Sequence, residues 1–168
     1  LVPTAQMRDH LAADGFANLA VVGRGVDTRL FHPSRRNASL RKRFGASHDS
    51  LVVLHVGRLA AEKNLCVVFE AFSAIRRRRP DAVLVIVGDG PERARLEREN
   101  PGHHFAGLLS GAALAEHYAS ADMFLYPSLT ETFGNVTLEA MASGLAVVAF
   151  DYAADRKSTR LNSSHTDI

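Results

Sequence analysis

The chain has 168 residues, of which 46% are hydrophobic and 23% charged, and its formal net charge is +2. This composition is ordinary for a globular protein and is sufficient for one domain with a core. The small net charge gives no argument for nucleic acid or an anionic membrane as a partner. No apolar run approaches the roughly 20 residues of a transmembrane helix. The single cysteine, Cys66, excludes an internal disulfide framework, and the apolar helical pattern around it predicts a buried core thiol.

The first fifty residues differ in pattern from the rest of the chain. Residues 6–14 are predicted to form a helix, residues 19–22 a short strand, and residues 37–44 a second short helix that ends at Gly45. The glycine-containing segment 23–27 is typical of a turn. This part of the sequence resembles the end of one domain that runs into the start of another.

Five short apolar runs in the remainder are rich in Val and Leu and are bounded by Gly or Pro, which is typical of buried parallel strands. Helical patterns lie between them, so the sequence predicts an α/β fold with a Rossmann-like parallel sheet and flanking helices. In such sheets, ligands bind at the carboxyl ends of the strands. The predicted strands are residues 51–57, 82–88, 103–107, 123–127 and 145–150, and the predicted helices are 64–79, 91–99, 110–119 and 135–143, the last ended by Gly144.

Two cations follow the first predicted strand. Gly57 lets the backbone bend away and a ligand approach closely, and Arg58 and Lys63 then place positive charge at the mouth of the sheet. The later turn around Gly134 opens a helix, and the free N–H groups of a helix N-terminus attract anions such as phosphate. Together these features predict a diphosphate pocket.

Two glutamates flank that glycine turn. Glu139 lies about one turn into the helix, where a carboxylate can accept hydrogen bonds from the hydroxyls of a ribose. Glu131 lies before the turn, on the opposite side of the phosphates, where a hexose would project. The implied ligand is a nucleotide-sugar.

The sequence here resembles the retaining glycosyltransferases of family 4, which have the GT-B fold of two Rossmann-like domains. The resemblance runs from about Arg24 to Ala154 and depends on five ordered motifs. In place of a proline that the family usually has, this chain has Ala146, which we expect to reduce local rigidity without altering the site. The motifs are Gly57-Arg58-Leu59 with Glu62-Lys63-Asn64, then Val87-Gly88-Asp89-Gly90-Pro91, Phe105-Ala106-Gly107, Ala121-Asp122 with Pro127-Ser128, and Glu131 to Glu139 followed by Ala140-Met141-Ala142-Ser143-Gly144.

The resemblance implies a role for each matching residue. Arg58 and Lys63 would hold the diphosphate and stabilise it as it leaves, and Glu131 would bind sugar hydroxyls near the reacting carbon, so these three are the expected catalytic residues. Glu139 would bind the ribose. The other expected donor-binding residues are Gly57, Phe105, Leu108, Phe133, Gly134, Asn135, Val136 and Thr137.

The resemblance also implies an activity: transfer of a hexose, mannose or glucose, with retention, from GDP-mannose or a UDP-hexose to a lipid or glycan hydroxyl. No cofactor, metal or nucleic acid is expected. Residues 1–23 would end an acceptor-binding domain that is otherwise missing, and residues 24–154 would form the donor-binding domain without its final part. The expected location is the cytoplasm, with peripheral attachment at the inner face of the membrane.

Other functions and sites are compatible with parts of the sequence. A sugar-nucleotide epimerase and a non-catalytic nucleotide-sugar-binding domain remain alternatives. A dinucleotide-dependent oxidoreductase is disfavoured, because the Gly88-Asp89-Gly90 turn lacks the third glycine of that fingerprint. Neighbouring residues His103 and His104 are predicted to point to opposite faces of a strand, where they cannot easily chelate one metal ion.

The last residues have a different character. Residues 155–165 read D-R-K-S-T-R-L-N-S-S-H, which one reading frame of a common short-read sequencing adapter also spells. We therefore interpret residues 155–168 as a disordered artefact of adapter read-through and expect the natural sequence to depart from this one near Ala154.

Overall fold

The computed structural model describes residues 1–2, 4–23, 25–128 and 135–149. The order of its elements confirms the predicted alternation of strands and helices after residue 50. The helices are α1 (Ala5–Ala13), α2 (Ala38–Arg43), α3 (Leu65–Arg78), α4 (Arg93–Glu99), α5 (Gly111–Ala119) and α6 (Asn135–Ala142), and the strands are β1 (Val52–Val56), β2 (Val83–Val87), β3 (His104–Gly107), β4 (Met123–Tyr126) and β5 (Ala146–Ala149).

All four strand pairings in the described sheet are parallel, and the strand order is β3-β2-β1-β4-β5. The order reverses between β1 and β4, because the chain leaves β1 toward β2 and returns after β3 to the other side. Open α/β sheets bind ligands at such a reversal, outside the carboxyl ends of the strands. The α/β fold class with a Rossmann-like sheet is therefore confirmed.

The sheet is buried on both faces, as its nearly continuous apolar strands predict. One face packs against α3 and α4 through a cluster that includes Val53, Val68 and Phe72. The opposite face packs against α2, α5 and α6 through a cluster that includes Leu54 and Tyr118. His103 contacts the aromatic rings of Phe69 and Phe72 on α3, whereas His104 contacts Phe44 at the end of α2. The prediction that these two histidines face opposite sides of the sheet is therefore confirmed.

At the amino ends of the strands, Asp122 ties the segment before β1 to the sheet. Its carboxylate accepts hydrogen bonds from Arg36 at 2.7 Å, from Arg41 at 3.0 Å and from the backbone N–H of Val52 at 2.8 Å. These bonds hold the pKa of Asp122 below its usual value even though partial burial opposes them. Its carbonyl also accepts the N–H of Ala146 at 3.1 Å, a bond that a proline could not make.

Three other features of the described chain concern predictions outside the sheet. The short strand at residues 19–22 was predicted wrongly, because Val21 forms only one isolated parallel bridge, with Val2. The prediction of a buried Cys66 was also wrong: the apolar stripe of α3 follows Leu65, Val68 and Phe72, and Cys66 lies exposed beside it. Among the described residues, no helix is long and apolar enough to cross a membrane.

Candidate active site

A cavity of about 440 Å³ opens at the carboxyl ends of β1, β2 and β3. Three of the predicted site residues line it, namely Gly57, Arg58 and Leu108. Leu108 is 79% exposed although it is a large apolar residue, which leaves its side chain available for a flat ligand group such as a base. The lining residues are Val56, Gly57, Arg58, Val87, Gly88, Asp89, Gly90, Leu108 and Leu109.

The floor of this cavity is backbone packed directly on backbone. A Cβ at Gly88, where φ is +140°, would lie 1.9 Å from the carbonyl oxygen of Gly57. A Cβ at Gly90 would lie 2.4 Å from the carbonyl oxygen of Leu59. The N–H of Leu59 also donates to the carbonyl of Asp89 at 2.9 Å. The turn after β2 thus fixes the bend that carries Arg58 away from the end of β1.

Arg58 is loosely held at the rim. Its guanidinium lies 3.7 Å from the Glu62 carboxylate, and its side chain is 67% exposed. An exposed pair at this distance contributes little to stability. Arg58 can therefore exchange Glu62 for a phosphate at small cost.

Lys63 is placed by a short turn and a strained residue. A 3₁₀ turn spans Ala61–Lys63, and Asn64 follows it in the left-handed conformation, with φ of +53°. Asparagine tolerates this conformation better than most residues. The Lys63 ammonium then reaches across to donate to the Ser128 hydroxyl at 3.3 Å. The turn brings a cation from the β1 side to the end of β4.

The start of α6 supplies the residues after the predicted glycine turn. Asn135 is the first residue of this helix, and its buried side-chain oxygen has no hydrogen-bond partner among the residues that the structure describes. Val136 is half-buried against the core, and Thr137 is almost completely buried. The backbone of this helix start, with the Asn135 amide, is what the structure offers to a ligand here.

Glu139 lies half-buried one turn further along α6. Burial raises the pKa of its carboxyl, while the neighbouring Tyr118 hydroxyl acts in the opposite direction. Tyr118 is itself buried, and burial together with the Glu139 charge raises its pKa well above the ordinary value. Within the described residues, the Tyr118 hydroxyl makes no hydrogen bond of normal geometry, so its contact with the Glu139 carboxylate is loose. A carboxylate kept partly desolvated in this way has unused acceptor capacity.

The structure brings together only part of the predicted set. Lys63 and Glu139 are not among the residues that line the cavity around Arg58. Phe105 packs its side chain toward α3 and α4, which leaves its backbone as the part able to meet a base. Glu131, Phe133 and Gly134 lie outside the described residues. All of these roles stay predictions.

Three residues that shape the site have no predicted role in the sequence analysis: His55, and two members of the quoted motifs, Asn64 and Ser128. His55 lies within an apolar strand run, and the pattern of that run does not distinguish it from its neighbours. The signal for Asn64 was available, since an asparagine directly before a helical pattern is compatible with a left-handed residue. Within the described part of the chain, no group of three His, Cys, Asp or Glu residues is arranged to hold a metal ion.

Residues 50–161 match the family model for glycosyl transferases group 1. The chain is 40% identical over 148 residues to a GDP-mannose-dependent alpha-mannosyltransferase of Corynebacterium glutamicum, covering 88% of this chain and 35% of that protein. It is 39% identical over 155 residues to a sulfoquinovosyl transferase of Arabidopsis thaliana, covering 89% of this chain and 30% of that protein. The chain thus spans about a third of the length of these curated relatives.

Solved structures show the same arrangement of strands and helices. The Anabaena protein HepE, in complex with UDP and glucose, superposes with a TM-score of 0.72 at 25% identity, over 91% of this chain and 44% of that one. A sucrose-phosphate synthase from Thermosynechococcus elongatus superposes with a TM-score of 0.76 at 25% identity, over 94% of this chain and 41% of that one.

Proposed function

Because the chain belongs to the glycosyl transferases group 1 family, we propose that it is the donor-binding domain of a retaining glycosyltransferase. The parent enzyme would move a hexose from a nucleoside-diphosphate sugar to a lipid or glycan hydroxyl. The observation that carries this proposal is the placement of Arg58 and Lys63 beside the reversal of strand order, where α/β sheets bind nucleotides.

The chemistry needs positive charge where the leaving group departs. As the bond between the sugar and the phosphate breaks, negative charge builds on the diphosphate. Arg58, Lys63 and the start of α6 are the groups available to neutralise it. Donors aimed at developing charge act mainly in the transition state, and losing one typically costs on the order of 100-fold in rate.

Glu139 and the cavity around Leu108 would hold the nucleoside. Glu139 would accept hydrogen bonds from the ribose hydroxyls, and the backbone of residues 105–108 would meet the base. Glu131, which lies outside the described residues, would bind the sugar hydroxyls. Phe133, Gly134 and Thr137 complete the proposed donor set together with Gly57, Asn135 and Val136.

GDP-mannose is the donor we propose first, because the relative from Corynebacterium glutamicum is a GDP-mannose-dependent enzyme. A UDP-hexose is the second candidate, because HepE is seen with UDP and glucose. A lipid acceptor is supported by a phosphatidylinositol dimannoside mannosyltransferase of Mycobacterium tuberculosis that is 40% identical to this chain. With such an acceptor, we propose a peripheral position at the cytoplasmic face of the membrane.

Calorimetric titration of the chain with GDP, UDP and ADP tests the proposal. Binding of one of the three is expected, and Lys63→Ala should weaken it about 50-fold without abolishing it. Lys42→Ala, which removes an exposed lysine of α2, is the matched control and should bind normally. A folded chain that binds none of the three nucleotides would contradict the proposal.

A second assay separates a transferase from the epimerase alternative. The chain is incubated with GDP-mannose or UDP-glucose in the absence of any acceptor. The configuration of the sugar carried by the nucleotide is then determined. A transferase donor domain should leave the sugar configuration unchanged. Conversion to an epimer would favour the epimerase.

A further inference from the structure

The strands on either side of the reversal separate early. β1 pairs with β2 over all five of its residues, but it pairs with β4 only at Val53 with Met123 and Leu54 with Phe124. β4 meanwhile continues its pairing with β5 as far as Tyr126. A crevice between β1 and β4 therefore begins directly after Leu54.

A side chain spans this crevice where the backbone ladder has stopped. The Nδ1 atom of His55 lies 3.0 Å from the carbonyl oxygen of Leu125. Because a carbonyl oxygen only accepts, Nδ1 must carry the hydrogen and Nε2 must carry a lone pair. The imidazole thus takes the place of a backbone donor and sets the spacing of the two strands.

The second nitrogen of this ring is buried and has no partner among the described residues. His55 is 0% exposed, and its ring stacks on Tyr126 with centroids 5.9 Å apart. Within the described part of the chain, its Nε2 atom makes no hydrogen bond. Nε2 faces the place where β1 ends, since a Cβ at Gly57 would lie 3.4 Å from it. Orphaned buried polar atoms are uncommon in folded proteins, and this one is directed at the proposed diphosphate site.

The positive charge of Lys63 acts on this ring, and the Lys63 ammonium lies at the end of β4, beside Ser128. Burial and, more weakly, the Lys63 charge together lower the pKa of His55 to about 4, so the ring is neutral at ordinary pH. A neutral ring with an available lone pair is an acceptor suited to an ammonium group. An ammonium has three donors, so Lys63 can be shared among several acceptors, and His55 can be one of them when a ligand is bound.

We propose that His55 is a positioning residue for Lys63. Its Nδ1–H holds the crevice between β1 and β4 at a fixed width, and its Nε2 accepts a hydrogen bond from the Lys63 ammonium when a diphosphate occupies the site. His55 does not touch the ligand; it fixes the direction from which Lys63 does. The diphosphate part of this inference rests on the proposed function.

Two variants distinguish the hydrogen bonds of the two ring nitrogens from the packing of the ring. His55→Phe keeps the stack on Tyr126 but removes both hydrogen bonds, whereas the amide of His55→Gln can donate to Leu125 and accept from Lys63. We expect His55→Phe to weaken binding of the preferred nucleoside diphosphate about tenfold, and His55→Gln to restore most of it. His117→Phe, which replaces a buried histidine of α5, is the matched control and should bind normally.

The decisive measurement is a coupling with Lys63. The double variant His55→Phe/Lys63→Ala should bind no more weakly than Lys63→Ala alone, because His55 is proposed to act through Lys63. Additive losses would overturn the proposal while leaving the proposed function intact.

A spectroscopic readout on the wild-type chain covers the remaining outcomes. If His55→Phe does not fold, the ¹⁵N resonance of Nε2 in the wild-type chain decides: it should move on nucleotide binding, and a fixed resonance would overturn the proposal.

Discussion

The Glu139 carboxylate is half-buried on α6 and, among the described residues, has no cation paired with it. Its raised pKa shows that the ionised form is disfavoured by the surrounding protein. A group that lowers stability in this way is expected at a binding site, where the unfavourable placement is offset when a ligand arrives. The hydroxyls of a ribose would supply the missing donors.

Glu139→Gln should therefore separate stability from binding. Because the folded carboxyl has the higher pKa, the native state loses stability as pH rises through it. We expect the variant to have a larger free energy of unfolding than wild type at pH 7 and no advantage at acid pH. The same variant should bind the nucleoside diphosphate about tenfold more weakly.

Chemical denaturation at two pH values and calorimetry measure the two effects of Glu139→Gln. Glu70→Gln, which changes an exposed glutamate on α3, is the matched control. It should alter neither quantity. Equal stabilisation by both substitutions, or unchanged nucleotide binding by Glu139→Gln, would refute the assigned role.

Arg58 is predicted to contribute to function with little effect on folding. Its long, exposed contact with Glu62 gives it almost no share in stability. In the parent enzyme, Arg58→Ala should lower turnover on the order of 100-fold while changing the free energy of unfolding by less than about 0.5 kcal/mol. Arg78→Ala, at the exposed end of α3, is the control. Wild-type turnover in Arg58→Ala would contradict the role.

At the scale of elements, the turns that follow β1 and β2 form one unit. The close approach of Gly88 to Gly57 leaves no space for a side chain, and the left-handed backbone at Gly88 disfavours one as well. The glycine-rich turn in the sequence is thus explained by packing between turns. That packing fixes the rim from which Arg58 projects.

Gly88→Ala should consequently destabilise the fold by about 3 kcal/mol, because the new methyl group would overlap a backbone oxygen that cannot move aside. Gly102→Ala is the matched control, since a Cβ there meets nothing within 4 Å. Thermal or urea unfolding compares the two. A Gly88→Ala variant as stable as Gly102→Ala would show that the two turns are not packed as described.

The boundaries of the strands were predictable to within about one residue, because buried parallel strands appear as short Val- and Leu-rich runs ended by glycine or proline. The short strand at residues 19–22 was not, because a strand-like sequence forms a strand only where a neighbouring strand is available to pair with it. His55 could not be identified from a single apolar run. Its importance depends on where β4 separates from β1, which is a property of tertiary structure.

At the scale of the whole molecule, His55 links the site to acid stability. In the unfolded chain its pKa is near 6.5, and in the fold it is about 4. As pH falls through this window the unfolded state takes up a proton that the native state does not, so stability decreases, by about 3 kcal/mol in all. Urea unfolding between pH 7 and pH 4 should show this loss in wild type and a smaller one in His55→Phe. Identical pH dependence in both would contradict a neutral, buried His55.

The central claim is that a nucleoside diphosphate binds at the carboxyl ends of the strands, across the reversal between β1 and β4. The measurement that tests it most directly is backbone amide NMR of the chain during titration with the nucleotide that calorimetry selects. The account predicts resonance changes centred on Gly57, Lys63, Ser128 and Glu139. Changes centred instead on Asp122, at the amino ends of the strands, or no changes at all, would contradict it.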